Sequence, residues 1–181
     1  PDFIVGNLYW QTIDGKRLLP SKFTYEPWLD LILGYLGDTS SNFWNAKSLR
    51  KLGGWKESMK SSQDAELMFR FLKTDAVVLY DDIPLTVNHQ RSVGSISMQN
   101  RSENLTRYLE HRISIKNHLV EKKMLSKERA NAVLKIIFFA VRELFIYDPG
   151  YANKLFSQNI PALFVLSSKC KVSFLYKIIY S

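Results

Sequence analysis

The sequence has a single cysteine, Cys170, in 181 residues. That excludes an intramolecular disulfide and any Cys-rich zinc site, and a reducing compartment fits it best. There is no signal-peptide pattern of basic segment, apolar segment and small-residue cleavage site. No apolar run approaches the roughly 20 residues a membrane span needs: Ile136 to Val141 is unbroken, but Lys135, Arg142 and Glu143 bound it. No internal repeat is visible. The chain also lacks any excess of one charge in its first half. Residues 1–98 carry 11 basic and 11 acidic side chains, whereas residues 99–181 carry 14 and 6. The whole net charge of +8 therefore sits in the C-terminal part. This argues against a uniformly basic nucleic-acid binder, and no recognition motif for nucleic acid is present.

What is there is the composition of a folded domain: 46% hydrophobic, 13% aromatic and 23% charged. That excludes a disordered tail or a low-complexity chain. The length suits one domain with an extension. The chain opens on Pro1, and Asp2 to Asn7 already reads as a buried strand, so the expectation is a piece of something longer. Phe3 to Trp10 predicts a strand, turning at Ile13-Asp14-Gly15-Lys16 toward a short strand at Arg17 to Leu19. Glu26 to Tyr35 has helical spacing with Pro27 in the first turn. Ala46 to Leu52 predicts a short helix stopped by Gly53-Gly54.

Gln63 to Lys73 predicts a stronger helix with a stripe of Leu67, Met68, Phe71 and Leu72, with Ser61 and Ser62 as caps and Glu66 pairing with Arg70 in solvent. Two short strands follow, Ala76 to Tyr80 and Leu85 to His89, with Asp81-Asp82 as a turn before Pro84. After the Gln90 to Ser97 loop the pattern is helical: Glu103 to Lys123, then Glu128 to Tyr147, ended by Asp148-Pro149-Gly150. Apolar clusters at Ile160 to Leu166 and Val172 to Tyr180 close the chain. The reading is an α/β segment over 1–98 and a helical segment over 99–181.

Residues that could carry chemistry gather between Thr39 and Ser97. Asp64 shares a helix face with Met68 and Phe71, four and seven residues on. It is thus placed where a cleft could border the core. The same residue is also an ordinary first-turn acid facing the helix dipole, and spacing alone does not choose.

The context does. Gly53-Gly54-Trp55 precedes Gln63-Asp64-Ala65-Glu66-Leu67-Met68-Phe69-Arg70 by about ten residues. This resembles the second half of a family 2 glycosyltransferase of GT-A fold, in which a Gly-Gly-aromatic turn precedes an acidic "ED" pair and a following arginine. Asp2 to Gly15 looks like the family's strand and turn, and Gly94-Ser95-Ile96-Ser97 is similar to its closing segment. The resemblance covers about residues 1–98, and its motifs are individually short. It implies the acceptor side of the catalytic domain, followed by a helical extension. It also implies inverting transfer of a sugar from a nucleotide-sugar donor to an acceptor hydroxyl, as in surface polysaccharide or glycan synthesis.

An alcohol is a poor nucleophile at neutral pH and needs a general base. Asp64 matches the second acid of the pair, the family's base; the first is Gln63 here. Thr39, Ser40, Ser41 and Asn42 match the acceptor cleft, and Trp55 either stacks on an acceptor sugar or belongs to the core. His89 is the candidate for a C-terminal metal-binding histidine or a hydrogen-bonding one, although alignment on Gly94 to Ser97 puts Ser92 at that position. Arg91 is either a diphosphate contact or a solvated arginine. The leaving diphosphate calls for a divalent ion, Mg or Mn, held in the family by a DxD motif. That motif and the donor-binding strands are not among these residues, so the implied fragment would be inactive alone.

Lys122, Lys123, Lys127, Arg129, Lys169, Lys171 and Lys177 lie beside apolar clusters. They suit peripheral docking on an anionic inner membrane face, with a sugar or lipid-linked acceptor and a cytoplasmic location, or simply a solvated face of the helices. The alternative function is a non-catalytic membrane- or protein-interaction module with a basic helical tail.

Overall fold

Strand β1, Phe3–Gln11, is the central strand, with Phe3, Val5 and Leu8 buried along it. The computed structural model describes residues 1–19, 22–91 and 100–166, with side chains through residue 160. One edge of β1 carries β4, Val78–His89, in parallel register from Phe3↔Val78 to Gln11↔His89. The opposite edge is shared by two short antiparallel strands. β2, Arg17–Leu18, pairs at Trp10 and Gln11, and β3, Phe43–Trp44, pairs at Phe3 and Ile4. The fold is mixed α/β, a small sheet with six helices among the described residues.

The helices begin close to where the sequence places them. Helix α1, Pro27–Leu33, has Pro27 in its first turn and Glu26 as cap, whose carboxylate accepts from Trp28 N (3.2 Å) and Leu29 N (2.7 Å). Gly34 closes it at φ 78°, a left-handed conformation that glycine adopts without a Cβ penalty. Helix α2 is Ala46–Lys51, and α3 is Gln63–Leu72. The expected stripe of α3 is buried in full: Leu67, Met68, Phe71 and Leu72.

Several local expectations are corrected. The two short strands after α3 are one strand: between Gly6↔Asp81 and Leu8↔Thr86 the register shifts, and β4 bulges outward around Pro84. Proline has no N–H for a ladder, so a bulge is where a strand tolerates it. Asp81 and Asp82 serve that bulge, accepting from Ile83 N (3.0 Å) and from the Tyr25 hydroxyl (2.6 Å). Ser62 stands at the cap position of α3 with φ 61° and makes no side-chain cap bond. Glu66 is not in solvent but 7% exposed.

The helical segment comprises α4, Arg101–Glu121, α5, Lys127–Leu144, and α6, Pro149–Leu166. Asp148-Pro149-Gly150 starts a helix as well as ending one: Asp148 Oδ1 accepts from Tyr151 N at 2.9 Å, and Pro149 takes the first turn. The Ile160 to Leu166 cluster lies in α6. Helix α5 packs on α1, and one core runs from Phe3 and Ile32 through Leu109 and Ile137 to Ile160. Arg129 adds a fork to Glu26 at 3.1 and 2.8 Å. No helix among the described residues is long and apolar enough to cross a membrane. Gly94 to Ser97, Ser92, Cys170, Lys169, Lys171, Lys177 and Val172 to Tyr180 lie outside the described residues.

Candidate functional site

The segment 38–42 is pressed against β1 at Gly6. A Cβ on that glycine would stand 2.1 Å from the Ser41 carbonyl oxygen, so only glycine permits the approach. Asn42 fastens the contact from below. Its Oδ1 accepts from Gly6 N (3.2 Å) and its Nδ2 donates to the Leu36 carbonyl (2.7 Å). Above it, Asp38 Oδ1 accepts from Ser40 N (2.9 Å), Ser40 Oγ (2.6 Å) and Ser41 N (3.2 Å). Asn88 of β4 donates to Asp38 Oδ2 at 2.5 Å. These bonds lock a loop whose outward side chain is Thr39.

The Gly53-Gly54-Trp55 turn is fixed from the other side. Arg70 bonds both carboxylate oxygens of Glu66 (3.0 and 2.9 Å) and donates to the carbonyls of Leu52 and Gly54 at 2.5 Å each. Lys56 pairs with Glu66 at 2.6 Å. Burial pushes the Glu66 carboxyl upward, but Lys56 and Arg70 together outweigh it and hold it below the usual range. The clamp sets Trp55 edge-on to Trp44, with ring centroids 5.9 Å apart.

Asp64 lies where these two supports meet. Trp55 Nε1 donates to Asp64 Oδ1 at 3.1 Å, and the Thr39 hydroxyl donates to the same oxygen. Asp64 Oδ2 takes no hydrogen bond among the described residues. The carboxylate is half-buried and lines a groove of about 380 Å³ between the α1 cap, the first turn of α3 and α4. This falls within the usual size range of small-ligand sites. A second groove of about 400 Å³ adjoins it at Ser61, Ser62 and Tyr108, with Leu105, Ile136 and Phe139 in its walls.

Of the residues singled out in the sequence, the structure brings Thr39, Trp55 and Asp64 together. Gln63 is beside them in the groove wall, and its side-chain amide donates to the Met59 carbonyl. Ser40 is tied to Asp38 and Asn88. Ser41 and Asn42 are buried, and the amide of Asn42 is spent on backbone rather than offered to a cleft. His89 is exposed at the end of β4, opposite Gln11 in the register, and Arg91 is exposed just beyond. No group of three or more His, Cys, Asp or Glu side chains among the described residues is placed to hold a metal ion.

Sequence reasoning missed the far wall of the groove. Arg112 of α4 lies there, 5% exposed, with Tyr108 beneath its guanidinium at 4.6 Å from the ring centroid. The available signal was its position: Leu105, Leu109 and Arg112 follow the helical period of an apolar stripe. Neighbouring His111 is also buried. Burial, with the charge of Arg112 next, pushes its imidazole down to about 4. The chain matches no protein-family model, no curated protein and no solved structure.

Proposed function

We propose that this chain forms the acceptor side of a GT-A-type glycosyltransferase, with Asp64 as the general base of an inverting sugar transfer. The observation that carries the reading is the state of the Asp64 carboxylate. One oxygen is fixed by Thr39 and Trp55, the other takes no bond among the described residues, and the residue lines the groove. A base must be held in place yet keep an oxygen for the proton it takes. The acceptor hydroxyl would sit against Oδ2. As its oxygen bonds to the anomeric carbon, the bond from that carbon to the nucleoside diphosphate breaks, the diphosphate leaves with the electron pair, and the hydroxyl proton passes to Asp64. Attack from the face opposite the leaving group inverts the anomeric centre.

The order of the parts supports the same reading. The Gly-Gly-Trp turn, the acid and the arginine of the resemblance are joined physically: Arg70 holds the turn, the turn holds Trp55, and Trp55 bonds Asp64.

The test is sugar transfer from nucleotide-sugar donors by the protein expressed from its complete coding sequence. Asp64→Asn keeps the shape and both donors' partner oxygen but cannot accept the proton. Turnover is expected to fall by about 10²- to 10⁴-fold, with far-UV circular dichroism and Tm unchanged. A folded variant that retains turnover overturns the assignment.

A further inference from the structure

We propose that the groove beside Asp64 is built to receive an oxyanion, a phosphate or carboxylate group, on the guanidinium of Arg112 and the first turn of α3. Arg112 is 5% exposed, and its Nε and Nη1 have no hydrogen-bond partner among the described residues. Among the described residues no acidic side chain pairs with it, and the face of Tyr108 lies against its guanidinium. A buried guanidinium without acceptors is costly unless something completes it.

Three further features converge on the same space. The N–H groups of Gln63, Asp64 and Ala65, all in the groove wall, have no acceptor within α3, and Ser62 gives the helix no side-chain cap. An uncapped helix start presents N–H groups and positive dipole to an anion. Lys60 stands at the rim, so the groove's charged wall is Lys60 and Arg112 against Asp64 alone. Gly34 forms part of the opposite wall, where a Cβ would stand at an ordinary contact distance of 3.8 Å from Arg112 Nη2. Asp64 Oδ1 is engaged by Thr39 and Trp55.

In chemical terms the ligand carries an anionic group a short distance from the group that meets Asp64. Identifying that ligand as the sugar acceptor rests on the transferase reading, and it makes the acceptor an acidic one: a sugar phosphate or a uronic acid. The anion site itself stands on Arg112.

The experiment titrates the protein with inorganic phosphate, glucuronate and neutral glucose at matched ionic strength, following Tm and calorimetric heat. At a hundredfold excess over Kd, the binding anion is expected to raise Tm by about 5 °C or more, while glucose does nothing. Whether phosphate or glucuronate binds tighter identifies the source of the oxyanion. Arg112→Met, which fills the same space without the fork, is expected to weaken binding at least about tenfold. In the unaltered protein, ¹⁵N spectra should show the Arg112 Nε–H and the Gln63 to Ala65 amides shifting with added anion. No response to either anion, equal affinity in Arg112→Met, or silence at those four resonances overturns the proposal. Asp64→Asn separates the two readings. If it still binds the anion through Arg112 but does not lose transfer, the transferase reading falls and the anion site stands. If it loses transfer while anion binding ignores Arg112, the reverse holds.

Discussion

His111 packs edge-on against Phe69, its ring centroid 5.6 Å away, and its Nε2 has no partner among the described residues. Burial, then the charges of Arg112 and Lys56, outweigh the opposing Ala65 backbone bond and Glu66 charge and leave the imidazole neutral until about pH 4. An unfolded His111 takes up its proton below about pH 6.5. Between those values the unfolded chain binds a proton that the folded chain refuses, so acidification destabilises the fold and neutral pH restores it. The full shift corresponds to roughly 3 kcal/mol at its acid limit. Tm measured from pH 7.5 to 4.5 should fall more steeply in the unaltered protein than in His111→Gln. Parallel profiles would remove the histidine from the account.

Residues of this kind were illegible in the sequence for a physical reason. A charged side chain on a helix reads as solvated until its neighbours are known: Arg112 and His111 meet residues of α1 and α3, and Glu66 is enclosed by Arg70 and Lys56. The position of Asp64 in a groove wall beside Trp55 is what its helix phase and short-range context lead one to expect. Asn42 shows the converse: a small polar residue in a loop reads as available, yet tertiary packing consumed its amide.

At the scale of elements, what organises the site is a helix gripping a turn. Helix α3 and the turn before it were readable from an apolar stripe and two glycines. The grip between them was not, because Arg70 reaches carbonyls 16 and 18 residues away. Arg70→Lys keeps a positive charge beside Glu66 but loses the planar fork that reaches both carbonyls. Two charged hydrogen bonds of this sort are worth roughly 3–6 kcal/mol together. The urea midpoint should drop accordingly, and Trp55, no longer held by its turn, should become more open to acrylamide quenching. An unchanged midpoint would show that the Gly-Gly turn needs no such anchor. The single bulged β4 was hidden for a related reason: Pro84 punctuates the sequence like a chain break, whereas the sheet absorbs it by lengthening one strand against its partner.

At the scale of the whole molecule, the two compositional segments share one interior. The charge contrast at residue 98 is a feature of the sequence. The core ignores it: Trp28 of α1 stacks on His118 of α4 at 5.4 Å, and Arg129 of α5 locks the Glu26 cap of α1. All four tryptophans, Trp10, Trp28, Trp44 and Trp55, lie in residues 1–98, whereas the long helices lie beyond. Fluorescence therefore reports on the α/β segment and far-UV circular dichroism mainly on the helices. Ile137 of α5 is fully buried, and Ile137→Ala should cost about 2–5 kcal/mol. If the core is one cooperative unit, both probes move to the same lower denaturant midpoint. A helical signal that shifts while tryptophan fluorescence holds its midpoint would mean that the helices unfold on their own. The groove, walled by α1 and α3 on one side and α4 on the other, would then have no fixed shape to offer a ligand.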